Sequence, residues 1–589
     1  MLRDHYLIFK QTYPKSILII FFGSIFSAFL ELFGLGSLPI YVGFISSPEA
    51  FIGNIPFEGL KNYLSEIKQI ERIFYFTSLI LFIFVFKNLF LACLIFFENK
   101  IFYKIKENIC SKIYSYYIFS PYEFHLNKNP AELSRNVIIE VDALVNNLLQ
   151  IIKLTRESLV IIVIFFLLLY SDPIITIILT LILSLSVGTF HYRIRNLLKN
   201  WSEQNIEIRK SLIQYVNEGF GAIKDIKIYL KEKFFKENFE KSMHKSISNS
   251  FNYQLILNAP KIFLEILAIL ILLSITTYFL ILDKNFYTFL PVLTLIAVSI
   301  IRLTPSAGQI ANGISVIKHN YASVKIILEE LKNFKKNKEE YNYNQNLIDN
   351  KKNFEKLEVK NIYYKYPHTE KNILDNISFE IEKNKLIGFV GKTGSGKTTL
   401  FQNLLSLLKP QEGKIIFNDK NLYSNLAEWR SKIGYVSQEI YLLDDTILNN
   451  IIFFNQTKYV DEKKIINILK LSALENFINK LPEGLNTRVG QNGIKLSGGQ
   501  KQRIGIARAL YKNTEILFFD EATSALDHKT EEEIMRSIKL LKGHKTMLII
   551  AHRFSTIKNC DHIFLLENGK IKDQGKFEYL NKKYFLENG

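Results

Sequence analysis

Eight consecutive residues, Gly391-Lys392-Thr393-Gly394-Ser395-Gly396-Lys397-Thr398, have the composition and spacing of a phosphate cradle. Its glycines let backbone N–H groups wrap phosphate oxygens, and Lys397 can reach the outer phosphates. Thr398 can ligate Mg²⁺, and a helical run follows from Thr399. The apolar run Leu386–Val390 precedes the loop, so strand, loop and helix succeed one another and the positive helix end faces the anion. A second candidate is the apolar strand Ile516–Phe519, which ends in Asp520 and Glu521. The first carboxylate suits Mg²⁺, and the second is placed to polarise an attacking water, since phosphoryl transfer needs a positioned nucleophile. Joined to the phosphate loop, the pair makes a nucleotide hydrolase.

A further cradle is Ser497-Gly498-Gly499-Gln500, followed by Lys501-Gln502-Arg503 and Ala507-Arg508-Ala509-Leu510. Serine and glycines opening a helix form another phosphate-binding end. One phosphate loop and one remote cradle suggest that the cradle serves another subunit's nucleotide. With these residues the sequence resembles an ATP-binding cassette (ABC) transporter of exporter type, a half-transporter with six membrane helices ahead of one nucleotide-binding domain. The resemblance implies ATP and Mg²⁺ as cofactors. It implies that Tyr366 stacks on adenine, that Gln438 touches Mg²⁺ and senses the membrane domain, and that Ser524–Asp527 matches the D-loop. His552, after the strand Thr546–Ala551, would contact the γ-phosphate. Two copies of the chain would be needed, the phosphate loop of one facing Ser497–Gln500 of the other. Tyr122–Lys128 and Gly219–Lys227 resemble the two coupling helices. One departure is Gln491, where exporters often carry a glutamate, which puts a charged coupling contact there in doubt.

The elements that must position these groups divide the 589 residues in two. The length alone suggests about four domains, but mean hydropathy is +0.09 while the net charge is +18. One greasy part and one charged part give both values naturally. Hydrophobic runs fill the first 330 residues, with candidate spans at 16–45, 73–97, 157–171, 172–190, 256–282 and 286–313. Most approach the ~20 residues needed to cross ~30 Å of hydrocarbon. Tyr170–Pro173 reads as a tight hairpin between the third and fourth. The first span lacks a small-residue cleavage site, so a removable signal peptide is not expected.

Lysine and arginine crowd the stretch 191–253 and the stretch after span two, which places both long connections and both termini in the cytoplasm. These stretches have helical texture and read as continuations of the spans. Phe57–Tyr63 fits either a short amphipathic surface helix or a plain loop. The basic balance is explained by membrane orientation, with no need of nucleic acid. Cys93, Cys110 and Cys560 are too scattered for a disulfide framework or zinc site. The expected division is a membrane domain at 1–330, a solvated tether at 331–354 and an α/β nucleotide-binding domain at 355–589.

Ionisable residues inside spans are costly and usually face an interior. Lys87, Lys261 and Arg302 fall in the inner-leaflet half, while Glu31 lies midway along span one and Glu265 shares span five with Lys261. Two readings remain open: a basic belt lining a cavity for an anionic group, or structural pairing of Lys261 with Glu265 and of Arg302 with Glu31. The chain is similar overall to bacterial lipid-linked oligosaccharide flippases of the PglK type, which implies flipping of an anionic lipid-linked intermediate to the outer leaflet of the bacterial inner membrane. The partners expected are then a second copy, membrane lipid and that substrate. Export of a peptide or of a lipid A precursor is the alternative. An ATP-gated channel or regulator is the least favoured, because Glu521 and His552 are intact.

Overall fold

The computed structural model describes residues 14–46, 48, 66–281, 286–342, 353–367, 369–453, 461–512, 514–521, 528–551 and 554–585. The segment Phe57–Tyr63, the D-loop and His552 lie outside these residues. The chain forms two compact units, one of Met1–Ser120 and Asn127–Asn337, the other of Pro121–Leu126 and Lys338–Gly589.

The first unit is helical. Five of its described helices are long and apolar enough to cross a membrane, and they carry the first, second, fourth, fifth and sixth expected spans. The expected third span falls in the helix Val141–Ser171 and is not one of the five. Arg156 and Glu157 lie midway along this helix, ahead of its apolar half. The hairpin forms where the sequence places it: the Asp172 side chain accepts from the backbone N–H groups of Ile174 and Ile175, each at 3.1 Å, and Pro173 occupies the first helical turn.

The helices carrying spans two, four and five have 51, 49 and 50 residues. At 1.5 Å per residue each is ~75 Å long, more than twice the hydrocarbon thickness. The basic stretches therefore continue the spans as helices, as expected. Large apolar side chains such as Phe22, Phe82, Leu89 and Ile301 are exposed on the span-bearing helices, which suits a lipid-facing surface. Ala28, Leu35, Val160, Ile164, Leu179 and Ile300 pack inside.

The tether differs from expectation. Its first part is helical, because the helix beginning at Tyr321 continues to Asn342. Lysine and glutamate are good helix formers, and a polar composition alone does not end a helix already nucleated upstream.

The second unit is α/β. Its strands, in chain order, are β1 (Lys356–Tyr364), β2 (Leu374–Glu382), β3 (Leu386–Val390), β4 (Glu412–Phe417), β5 (Lys420–Asn421), β6 (Ile433–Val436), β7 (Ile516–Asp520), β8 (Thr546–Ile550), β9 (His562–Glu567) and β10 (Lys570–Gly575). An antiparallel sheet has the order β2-β1-β4-β5, and a second sheet has the order β10-β9-β3-β8-β7-β6. In the second, β9, β3, β8, β7 and β6 are parallel. β3, β7 and β8 are buried at every position, which is why they read as unbroken apolar runs. A Phe/Trp cluster of Phe389, Phe401, Phe518 and Trp429 locks the phosphate-loop helix, Lys397–Leu404, to this sheet, and the Trp429 indole donates to the Leu404 carbonyl at 2.8 Å.

Candidate nucleotide site and the membrane charge network

Parallel strands bring their C-terminal ends to one edge, and open α/β sheets use that edge for ligands. The phosphate loop leaves β3, Gln438 follows β6, and Asp520 and Glu521 end β7. β8 lies between β3 and β7, so the loop and the acids flank one strand.

Loop geometry explains its glycines. A Cβ on Gly391 would stand 2.2 Å from the Leu566 carbonyl oxygen, and one on Gly396 would stand 2.9 Å from that of Ile373. Gly394 and Gly396 have φ of 81° and 98°, which a side chain disfavours. Lys397 donates to the carbonyls of Gly391 (2.8 Å) and Lys392 (3.0 Å), so its ammonium sits inside the curl of the loop. Burial pushes the Lys397 pKa down, opposed by the carboxylates of Glu521 and Asp520. Ser395 Oγ is buried without a hydrogen-bond partner among the described residues, while Thr398 is exposed on the first helical turn. A buried hydroxyl left open, a cation and a ring of backbone amides together fit a polyphosphate. Thr398, Asp520 and Gln438 are oxygen donors that suit Mg²⁺.

The Gln438 amide donates to Glu521 at 2.9 Å, joining the β6 loop to the end of β7. Glu521 takes φ of 49°, a left-handed conformation that costs a non-glycine residue ~1–3 kcal/mol and is characteristic of functional sites. The Tyr366 hydroxyl lies 3.2 Å from Thr399 Oγ1 and 3.1 Å from Gln402 Oε1, on the helix behind the loop. Ser497 caps the helix Gly498–Tyr511 in a reciprocal capping box: its Oγ accepts from the Gln500 N–H, and Gln500 Oε1 accepts from the Ser497 N–H. Gln491 lies in a short 3-10 turn ahead of it.

Sequence reasoning missed Tyr435, whose hydroxyl donates to Asp520 at 3.4 Å. The pairing of β6 with β7 brings the two side chains together. Burial, with the Asp520 carboxylate beside it, pushes the Tyr435 hydroxyl's pKa upward, and Tyr122 contributes as well. Tyr122 belongs to the short helix Tyr122–Leu126, which groups with this unit although the chain on both sides belongs to the other. The second expected segment, Gly219–Lys227, runs from the end of the helix Pro173–Gly221 into the helix Ile223–Ile228.

In the membrane unit, the structure pairs some of the charges that the two readings invoke and leaves others apart. Glu31 is buried and bridges two of the three cations: Lys87 lies 3.1 Å from its Oε2, and Arg302 lies 2.6 Å from its Oε1. Arg302 also reaches Glu157 at 3.4 Å, and the Ser306 hydroxyl donates to Glu157 at 2.8 Å. Arg156 pairs with Glu98 at 2.8 Å. Three cations, Lys87, Arg156 and Arg302, thus meet three carboxylates, Glu31, Glu98 and Glu157. Glu98, Arg156 and Glu157 fell at the margins of the expected spans, where charges look solvated, but the helices run on past those margins. The expected Lys261–Glu265 pair is absent among the described residues, and both side chains are exposed. The i,i+4 spacing permits such a pair but contributes only ~0.5 kcal/mol or less.

Fold and site together define a nucleotide-binding cassette joined to a membrane helical unit. The ABC transporter family profile matches residues 374–524. An ATP-dependent lipid A-core flippase of Coxiella burnetii is 30% identical over 504 residues, covering 82% of this chain and 81% of that one. The chain belongs to the ABC transporter family, as a half-transporter of exporter type. A lipid A-core flippase of Haemophilus influenzae is 41% identical, but over only 38% of each chain. The alpha-hemolysin translocation ATP-binding protein HlyB of Escherichia coli is 44% identical over 38% of this chain and 32% of its own length. The chain thus spans only about 32–38% of the length of these two curated relatives. A solved bacterial Atm1-family ABC exporter with ATP bound shares the fold, with TM-score 0.75 at 20% identity over 98% of this chain and 97% of that one.

Proposed function

We propose that this multi-pass membrane protein uses ATP to flip a phosphorylated, glycan-bearing lipid from the cytoplasmic to the outer leaflet of a bacterial inner membrane. Residues 1–330 would form the transport half and 355–589 the ATPase half, with both termini cytoplasmic. The observation that carries this reading is the similarity to a lipid A-core flippase over both halves of the chain. HlyB's likeness covers only 38% of this chain and so bears less on cargo. A lipid-linked oligosaccharide is the first candidate, in line with the sequence resemblance, and a lipid A-core molecule is the second, favoured by those relatives.

On this reading the backbone amides of residues 391–398 bind the ATP phosphates, and Lys397 turns from the Gly391 and Lys392 carbonyls toward them. Tyr366 stacks on the base. Thr398, Asp520 and Gln438 hold Mg²⁺, which when bound neutralises phosphate charge. Glu521, held by the Gln438 amide, orients the attacking water and takes its proton. Asp527 and His552, beyond the described residues, complete the site. A second copy of the chain supplies Ser497–Gln500 across the nucleotide, so the working form is a homodimer. Purified protein in liposomes tests this: ATP should drive flipping of a pyrophosphate-linked oligosaccharide or of lipid A-core. Flipping of neither, with ATP hydrolysis intact, sinks the cargo reading.

A further inference from the structure

Between the helices that carry spans two and three past their apolar stretches lies a cavity of about 430 Å³. One face of each helix forms its walls. Asn99, Phe102, Tyr103 and Lys106 recur at i, i+3, i+4 and i+7, and Ile139, Asp142, Ala143 and Asn146 repeat that spacing opposite them. Arg209, from the extension of span four, and Asn320, just beyond span six, also line it. Helices facing each other at this spacing usually fill the seam with apolar side chains. Here the seam is left open, and polar side chains share its lining with apolar ones such as Val145 and Leu149.

The charges are unequal. Lys106 pairs with Asp142 at 2.7 Å, so those two cancel. Arg209 has no ion pair among the described residues and is half-buried, which leaves the lining with one net positive charge. The side-chain amides of Asn99, Asn146 and Asn320 make no hydrogen bond among the described residues, and each offers two donors and an acceptor. The volume falls in the ~300–1,000 Å³ range of small-molecule sites. Phe102 and Tyr103 add ring surface to the same wall.

We propose that this cavity binds one small anion, a phosphate or carboxylate group on a polar, hydrogen-bonding body. Arg209 takes the charge, and the three asparagines hydrogen-bond the body. The chemistry is shared by a soluble sugar phosphate and by a lipid headgroup. Asn99 stands two residues past the apolar stretch 73–97, so a headgroup is within reach. The site is separate from the nucleotide loop and does not depend on the cargo proposed above.

The test uses the full chain in phosphatidylcholine nanodiscs, with the nucleotide site saturated by ADP and Mg²⁺, titrated with radiolabelled glucose 1-phosphate. Saturable binding is expected, weakened at least tenfold by Arg209→Gln. Asn146→Leu changes an exposed position and should weaken binding without moving the unfolding midpoint, so a folding defect in the first variant does not decide the matter. Discs containing phosphatidylglycerol separate the sources. Competition in the wild type identifies a headgroup site, and unchanged binding identifies a site for a soluble solute. No saturable wild-type binding in phosphatidylcholine discs, or equal binding by the wild type and both variants, overturns the proposal.

Discussion

The two units treat buried charge in opposite ways. In the cassette, Lys397, Asp520 and Glu521 gather at one sheet edge, and Lys397 is held by carbonyl oxygens rather than by a carboxylate. In the membrane unit, Glu31, Glu98, Glu157, Lys87, Arg156 and Arg302 close on one another. A cation resting on neutral carbonyls can be drawn off by a phosphate. A cation bound to a buried carboxylate gives it up only at the cost of an unpaired charge, ~3–5 kcal/mol when one partner is removed. The cassette's charges are therefore poised for a ligand, while those of the spans hold helices together.

The largest effect that would break this contrast is catalytic. Glu521→Gln should lower ATP hydrolysis by about 10²–10⁴-fold while ATP binding survives, measured by phosphate release and nucleotide titration. Near wild-type turnover would remove Glu521 from its role. Next, Glu31→Gln should destabilise the membrane unit by ~3–5 kcal/mol, because Lys87 and Arg302 lose their shared carboxylate. Thermal unfolding in detergent reads this, and an unchanged midpoint would show that the pairs hold nothing.

A smaller effect sharpens the cassette side. Tyr435→Phe removes the hydrogen bond to Asp520 and should raise the Mg²⁺ concentration for half-maximal hydrolysis about tenfold, with little change at saturating Mg²⁺. The smallest effect concerns a surface clamp. Asp573 is held down to about 2, mainly by the Lys583 ammonium, with help from its own Gln574 N–H and the Tyr584 hydroxyl. A carboxylate depressed in the folded state contributes stability above its unfolded pKa of ~3.9 and loses it as pH falls toward the folded value. The cassette's acid unfolding between about pH 4 and 2 should therefore flatten slightly in Asp573→Asn, as followed by circular dichroism. An identical profile would show the clamp to be without weight.

Much of the site could be read directly. Gly391–Thr398, Asp520–Glu521 and Ser497–Gln500 are contiguous, so their chemistry is written in local spacing, and the buried strands beside them announce themselves as apolar runs. Tyr435 escaped notice because nothing local marks a tyrosine that meets an aspartate 85 positions away. The span charges divided the same way. Lys87, Arg302 and Glu31 stood out as ionisable residues in apolar runs. Glu98, Arg156 and Glu157 did not, because hydropathy marks where lipid ends and says nothing of which polar residues beyond it are buried.

By itself, the sequence determined the half-transporter plan, the phosphate loop with its acids and capped second cradle, and the long helices that outrun the membrane. Each depends on interactions among residues close in the chain: periodicity, capping and glycine geometry. Only the tertiary structure decided that Glu31 pairs with both Lys87 and Arg302, that Lys261 and Glu265 stay apart, and that residues 121–126 belong with the cassette. Those outcomes rest on distances between residues far apart in sequence. In a low-dielectric interior, an ångström or two decides whether a charge is paired or stands open to a ligand.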